Sequence, residues 1–98
     1  EAELQLRAAV AAGPRNPVAR ANLGNMLLRA EAFDEAAAQY RQAVELAPGR
    51  GAYHRGLGRA LRLAGDAAGA RAALRQALVL DPADLRARAE VERLGPQR

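Results

Sequence analysis

Apolar and small residues recur along this chain at helical spacing, in short stretches that break at regular intervals. Leu23, Gly24 and Leu27 form a stripe at i, i+1 and i+4. Ala36, Tyr40, Ala43 and Val44 form a second stripe at i, i+4, i+7 and i+8. Each predicts a short amphipathic helix with one face turned inward. The two pair across a tight turn. Small residues at 24 and 36 let the backbones approach, and Leu27 and Tyr40 fill the space that remains. Asn16-Pro17 reads as an N-cap followed by proline at the first helical position, and Asp81-Pro82 reads the same way. Pro48 and Pro82 end their units, because proline cannot continue a helix.

The pattern then returns after 34 residues. Leu23-Gly24 recurs as Leu57-Gly58, Leu27 as Leu61, Ala36 as Ala70, Ala43 as Ala77 and Pro48 as Pro82. A fixed period of this length marks a stacked helical solenoid. Two helices of about 13 residues cannot cover an apolar face alone, so neighbouring units must stack. No stretch reads as a strand.

The series L-G-x-x-(large)…A-x-x-x-(large)-x-x-A…P resembles the tetratricopeptide repeat (TPR) family, closely over 17–50 and more loosely over 51–84. The resemblance implies an all-α solenoid, a right-handed superhelix of antiparallel helix pairs, and a binding role. Four units are expected within one domain. Residues 1–15 hold the second helix of a truncated repeat, with Ala2, Leu6, Ala9 and Pro14 at second-helix positions. Residues 16–50 and 51–84 are full repeats. Residues 85–98 are a capping helix and tail, with Leu85, Val91 and Leu94 as the apolar set and Gly95-Pro96 as the stop. The chain begins at Glu1 rather than Met and reads as a piece of a longer protein.

Composition acts by exclusion. Cys, Ser, Thr, Trp, Ile and Lys are all missing from the 98 residues. The usual side-chain nucleophiles are therefore absent, and His54 is the only group that titrates near neutral pH without a shift. One His and scattered acids do not make a zinc site, which wants four Cys or His ligands. An enzyme, a metal and a cofactor are not expected. No apolar run approaches the ~20 residues needed to span a bilayer. Lack of Cys permits any compartment. Abundant Ala and Arg without Lys suit a GC-rich bacterial genome.

The net charge of +4 rests on fifteen arginines, and their placement matters more than their number. In the family that this chain resembles, the second, fifth, ninth and twelfth positions of the first helix line a concave peptide-binding groove. Here they read Val18, Ala21, Asn25 and Leu28, flanked by Asn22 and Arg29, and then Ala52, Arg55, Arg59 and Arg62. Arg86 and Arg93 take the second and ninth positions of the last helix. The expected groove is Asn22, Asn25, Arg29, Arg55, Arg59, Arg62 and Arg86, basic toward its C-terminal end. Guanidinium forks suit carboxylates, so the expected partner is a protein or peptide segment rich in acid. The competing reading is a solvated face neutralised by Glu31 or Glu45, with Asp66 reaching Arg62. Some family members clamp a C-terminal carboxylate. Asn25 and Arg86 match two clamp positions, but Ala21, Gly56 and Glu90 occupy others, so chaperone-tail binding of that kind is not expected.

Other residues weigh less. His54, Phe33 and Tyr40 read as packing residues, and Tyr53 as an exposed or surface-packed ring. Arg71 and Arg75 read as solvated. Arg86 and Arg88 stand four residues before Glu90 and Glu92, a spacing that supports a surface helix by a few tenths of a kcal/mol. Glu31 replaces the usual turn glycine, at a cost of about 1 kcal/mol if the turn needs the left-handed conformation. The alternative function is self-association: an uncovered N-terminal helix exposing Leu4, Leu6 and Val10 would make a homodimer. Nucleic acid is disfavoured, since an aromatic content of 3% leaves little for base stacking.

Overall fold

Side-chain caps mark where three of the helices begin. A computed structural model describes residues 2–96, in which six α-helices follow one another and no strand occurs. They are α1 (Ala2–Ala12), α2 (Pro17–Arg29), α3 (Phe33–Leu46), α4 (Gly51–Ala64), α5 (Ala67–Leu80) and α6 (Leu85–Leu94). Glu1, Gln97 and Arg98, which fall in the first and last expected units, lie outside the described residues. The Asn16 side chain accepts from the backbone N–H of Val18 at 3.0 Å and of Ala19 at 3.3 Å, with Pro17 opening α2. Asp66 caps α5 through Gly69 N–H at 2.9 Å, and so is not the partner of Arg62.

The last helix starts later than Asp81-Pro82 suggests. Asp84 is its N-cap, accepting from Ala87 N–H at 3.0 Å, while Asp81 closes a turn by accepting from Ala83 N–H at 3.1 Å. Asp84 stands one 34-residue period beyond Arg50, the N-cap of α4, and it also holds Arg55.

The two turns within the helix pairs have the same build. Ala32 N–H donates to Leu27 at 2.9 Å, and Asp66 N–H donates to Leu61 at 2.8 Å. The residue before each donor is left-handed: Glu31 at φ 61° and Gly65 at φ 95°. Glu31 thus occupies the conformation the turn needs, at the expected steric cost.

Each helix packs on the next, and the backbones of α2, α4 and α6 also approach one another in series, whereas those of α1, α3 and α5 stay further apart. The row whose members lie closer together is the inner, concave one. Leu23, Leu27 and Leu74 are fully buried, and Ala36, Ala43, Ala60, Ala70 and Ala77 have no exposed surface. These alanines let helices approach, and each buried leucine contributes about 1.5–3 kcal/mol. Val91 and Leu94 of α6 pack onto Leu74, Ala77 and Ala87. Leu85 does not join them: it is exposed at the first helical position.

The N-terminal helix departs from expectation. Leu6 and Val10 are half-buried against the central core, and only Leu4, at 66% exposure, stands open. Arg7 joins Glu3 at 2.9 Å and Glu35 of α3 at 3.1 Å on the outer surface. His54 is buried, and its Nε2–H donates to the Pro48 carbonyl at 2.8 Å. Tyr53 is buried too, with the Arg50 guanidinium 5.5 Å from its ring centre. Phe33 is half-buried.

Candidate functional site

Tyr40 shapes the floor of the concave face. Its ring is held between Gly24 of α2 and Gly56 of α4. A Cβ on Gly24 would stand 2.8 Å from Cε2, and one on Gly56 would stand 2.6 Å from Cζ. Only glycine leaves room at those two points. The ring is buried, but its hydroxyl emerges between the inner helices and donates to Asn25 Oδ1. Burial pushes the phenol up to about 12, against the pull of Arg59, Arg55 and Arg29.

Two cavities open along the inner row. The larger, about 360 Å³, is lined by Asn25, Leu28, Tyr40, Ala52, Arg55, Gly56, Arg59, Arg86, Ala89, Glu90 and Arg93. The smaller, about 180 Å³, is lined by Asn25, Leu28, Arg29 and Arg59. Of the residues singled out from sequence, Asn25, Arg29, Arg55, Arg59 and Arg86 come together here. Asn22 is exposed but lines neither cavity, and Arg62 also lines neither.

The arginine stripe is partly neutralised, and not by the acids expected. Arg55 Nη1 lies 2.7 Å from Asp84 Oδ2, and Arg62 Nε lies 2.8 Å from Glu90 Oε1. Arg93 Nη1 reaches Glu90 Oε2 at 2.8 Å. Both acids belong to α6 or its cap, not to the preceding unit where Glu31 and Glu45 lie. Both are buried, with 9% of Asp84 and 5% of Glu90 exposed. Burial alone would raise the Asp84 carboxyl, but Ala87 N–H and the Arg55 guanidinium outweigh it and hold the group below its ordinary value. The Arg55–Asp84 and Arg62–Glu90 pairs dock α6 onto α4. The Arg86–Glu90 pair suggested by helical spacing does not form, because Glu90 faces α4, and Arg88 instead donates to the Pro82 carbonyl at 3.1 Å. Arg71, expected to be solvated, donates to the Leu94 carbonyl at 3.4 Å.

Arg29, Arg59 and Arg86 are differently placed. Among the described residues none of them hydrogen-bonds to an acid, and the Glu90 carboxylate stands 3.9 Å from Arg59 Nε. Arg59 keeps 55% of its side chain exposed. The concave face therefore combines three arginines that donate to no acid among the described residues, one of them within ion-pair distance of Glu90, with an amide, a phenol oxygen and one leucine. Among the described residues no group of His and acids could hold a metal, and no helix is long and apolar enough to cross a membrane.

A family model described as tetratricopeptide repeat matches residues 1–51 and 33–84. The chain belongs to the tetratricopeptide repeat family. Similar solved structures include a mutant O-GlcNAc transferase from Thermobaculum terrenum, at 29% identity and a TM-score of 0.88, over 94% of this chain. The match spans only 18% of that transferase chain. The second TPR domain of human RPAP3, solved with the HSP70 peptide SGPTIEEVD, matches at 22% identity and a TM-score of 0.88, over 94% of this chain and 77% of that one. The first TPR of Spaghetti (RPAP3), bound to the HSP90 peptide SRMEEVD, matches at 22% identity and a TM-score of 0.86, over 91% and 71%. No curated protein matches the chain.

Within this TPR solenoid, sequence reasoning missed three contributors to the groove: the Tyr40 hydroxyl, the space left by Gly56, and the inward carboxylates of Asp84 and Glu90. A signal for the last was present. Asp84 and Glu90 lie one period beyond Arg50 and Gly56, so two acids enter the inner row where earlier units have none.

Proposed function

We propose that this TPR chain is a non-catalytic protein–protein interaction module whose concave groove binds an extended or helical, acidic segment of a partner protein. The observation that carries this reading is the set Arg29, Arg59 and Arg86. They face two adjoining cavities with no acid hydrogen-bonded to them among the described residues. Guanidiniums in a concavity whose donors are not taken up by acids are what a carboxylate-bearing chain requires. The two RPAP3 domains lend support, since the peptides bound to them carry the acidic sequence EEVD. The absence of Cys, Ser and Thr supports the non-catalytic part.

The test is fluorescence anisotropy with labelled peptides of equal length, one rich in Glu and one with every Glu replaced by Gln. The reading expects the acidic peptide alone to bind, more weakly as salt rises. Equal binding of both peptides would defeat it. A second reading, self-association through α1, has the open Leu4 in its favour. It predicts a mass that rises with protein concentration and falls back with Leu4→Gln.

A further inference from the structure

One acid reaches into the inner row. Glu90 lines the larger cavity beside Arg55, Arg59, Arg86 and Arg93, whereas among the described residues no acid lines the smaller. Its carboxylate meets Arg62 Nε and Arg93 Nη1, each at 2.8 Å, and lies 3.9 Å from Arg59 Nε. One and two periods earlier the same place holds Gly56 and Asn22, so α6 is the inner helix that brings a negative charge there. A buried ion pair joins two elements no better than well-packed apolar side chains do. What Glu90 adds beyond docking is a negative charge on the wall of a cavity otherwise lined by cations.

We propose that Glu90 is a built-in competitor of the acidic partner: its carboxylate takes up part of the positive field of Arg59 and Arg93 and so holds down the affinity of the groove. This rests on the reading that the groove takes an acidic segment, and adds the residue that limits how tightly it does so. A carboxylate arriving at Arg59 must share that cation with Glu90. In an open cavity, like charges about 7 Å apart repel by enough to weaken binding about three- to tenfold. Arg62 acts on the same balance from outside. It lines neither cavity, yet it holds Glu90 Oε1 and offsets the charge that the ligand meets. Because the Arg62–Glu90 pair also docks α6 onto α4, stability and affinity oppose each other at one carboxylate.

The experiment titrates the labelled Glu-rich peptide and its Gln counterpart with the whole 98-residue chain and with four variants, at low and high salt. The variants are Glu90→Gln, Glu90→Asp, Arg62→Gln and the combination of Glu90→Gln with Arg62→Gln. Circular dichroism melts verify that each one folds. The proposal expects Glu90→Gln to bind the Glu-rich peptide about three- to tenfold more tightly than wild type, although it unfolds more easily, and expects high salt to erase the gain. Glu90→Asp keeps the charge on a shorter arm, so it should lose stability without gaining affinity. Arg62→Gln should weaken binding in the wild-type background and change it by less than about twofold once Glu90 is Gln. Binding by Glu90→Gln that is no tighter than wild type overturns the proposal and leaves the acidic-segment reading standing. An equal gain in Glu90→Asp does the same, since it traces the effect to a loosened α6 rather than to charge. Should Glu90→Gln not fold, Arg62→Gln decides alone: binding as tight as wild type overturns the proposal. No binding of the Glu-rich peptide by any of these proteins overturns both readings.

Discussion

Arg62 Nε and Glu90 Oε1 meet at 2.8 Å across 28 residues of chain, joining the last turn of one inner helix to the middle of the next. Glu90 is buried and its other oxygen is held by Arg93, so the carboxylate has little access to water. Removing one partner from such a contact leaves the other desolvated and uncompensated. Glu90→Gln is expected to cost about 2 kcal/mol, discounted because Arg62 and Arg93 keep part of their surface in solvent. The urea midpoint measures the loss, and amide exchange should speed up first in α6. Arg59→Gln should shift the midpoint by under about 0.5 kcal/mol, its acid being 3.9 Å away.

Asp84 makes the docking of α6 depend on pH. Its carboxyl is held below its ordinary value in the folded chain, so the stability it adds is present above the unfolded value of about 3.9. That stability is lost as pH falls through the folded value. The difference in unfolding free energy between wild type and Asp84→Asn should be full at pH 6 and narrow below about pH 4. A difference that widens on acidification would mean that the bonds of Asp84 to Ala87 and Arg55 do not favour its charged form.

The two equivalent turns can be compared directly. Glu31 and Gly65 both take positive φ, and only Gly65 does so without steric cost. Glu31→Gly is expected to stabilise the chain by about 0.5–1 kcal/mol, less what glycine adds to the unfolded ensemble. Gly65→Ala should destabilise by about 1 kcal/mol. Thermal unfolding of both variants measures the pair, and opposite signs are the expected outcome.

Gly56→Ala should destabilise although alanine is the better helix former. A Cβ there would lie 2.6 Å from Tyr40 Cζ, so the ring or α4 must shift. The expected net loss is about 1–2 kcal/mol. Because the displaced ring carries the hydroxyl bonded to Asn25, the same variant should also weaken acidic-peptide binding.

Much of this architecture is legible in the residues because one constraint repeats. Small residues at 24, 36, 58 and 70 and large ones at 27, 40, 61 and 74 dictate how close helices lie, and the 34-residue period carries that geometry along the chain. Charge is less legible. Arg55, Arg59 and Arg62 share a helix face, yet which of them is free depends on Asp84 and Glu90, about 28 residues away. Helical spacing pairs Glu90 with Arg86, but burying Ala87 rotates α6 so that Glu90 faces α4 instead. Leu6 and Val10, which read from the sequence as part of an open apolar face, are a further exception. They are half-buried because α1 lies on α2 as a second helix lies on the next unit.

The central claim is that inner-row arginines with no acid hydrogen-bonded to them hold an acidic segment, and a double charge reversal tests it most directly. Isothermal titration of a Glu-rich peptide into wild type and into Arg59→Glu with Arg86→Glu, at two salt concentrations, supplies the measurement. The account predicts salt-sensitive binding to wild type and none to the reversed protein, which should still unfold cooperatively but at a lower temperature, because a carboxylate at position 59 would stand close to Glu90. Equal binding to both proteins would contradict it and take the acid-binding surface away from this groove.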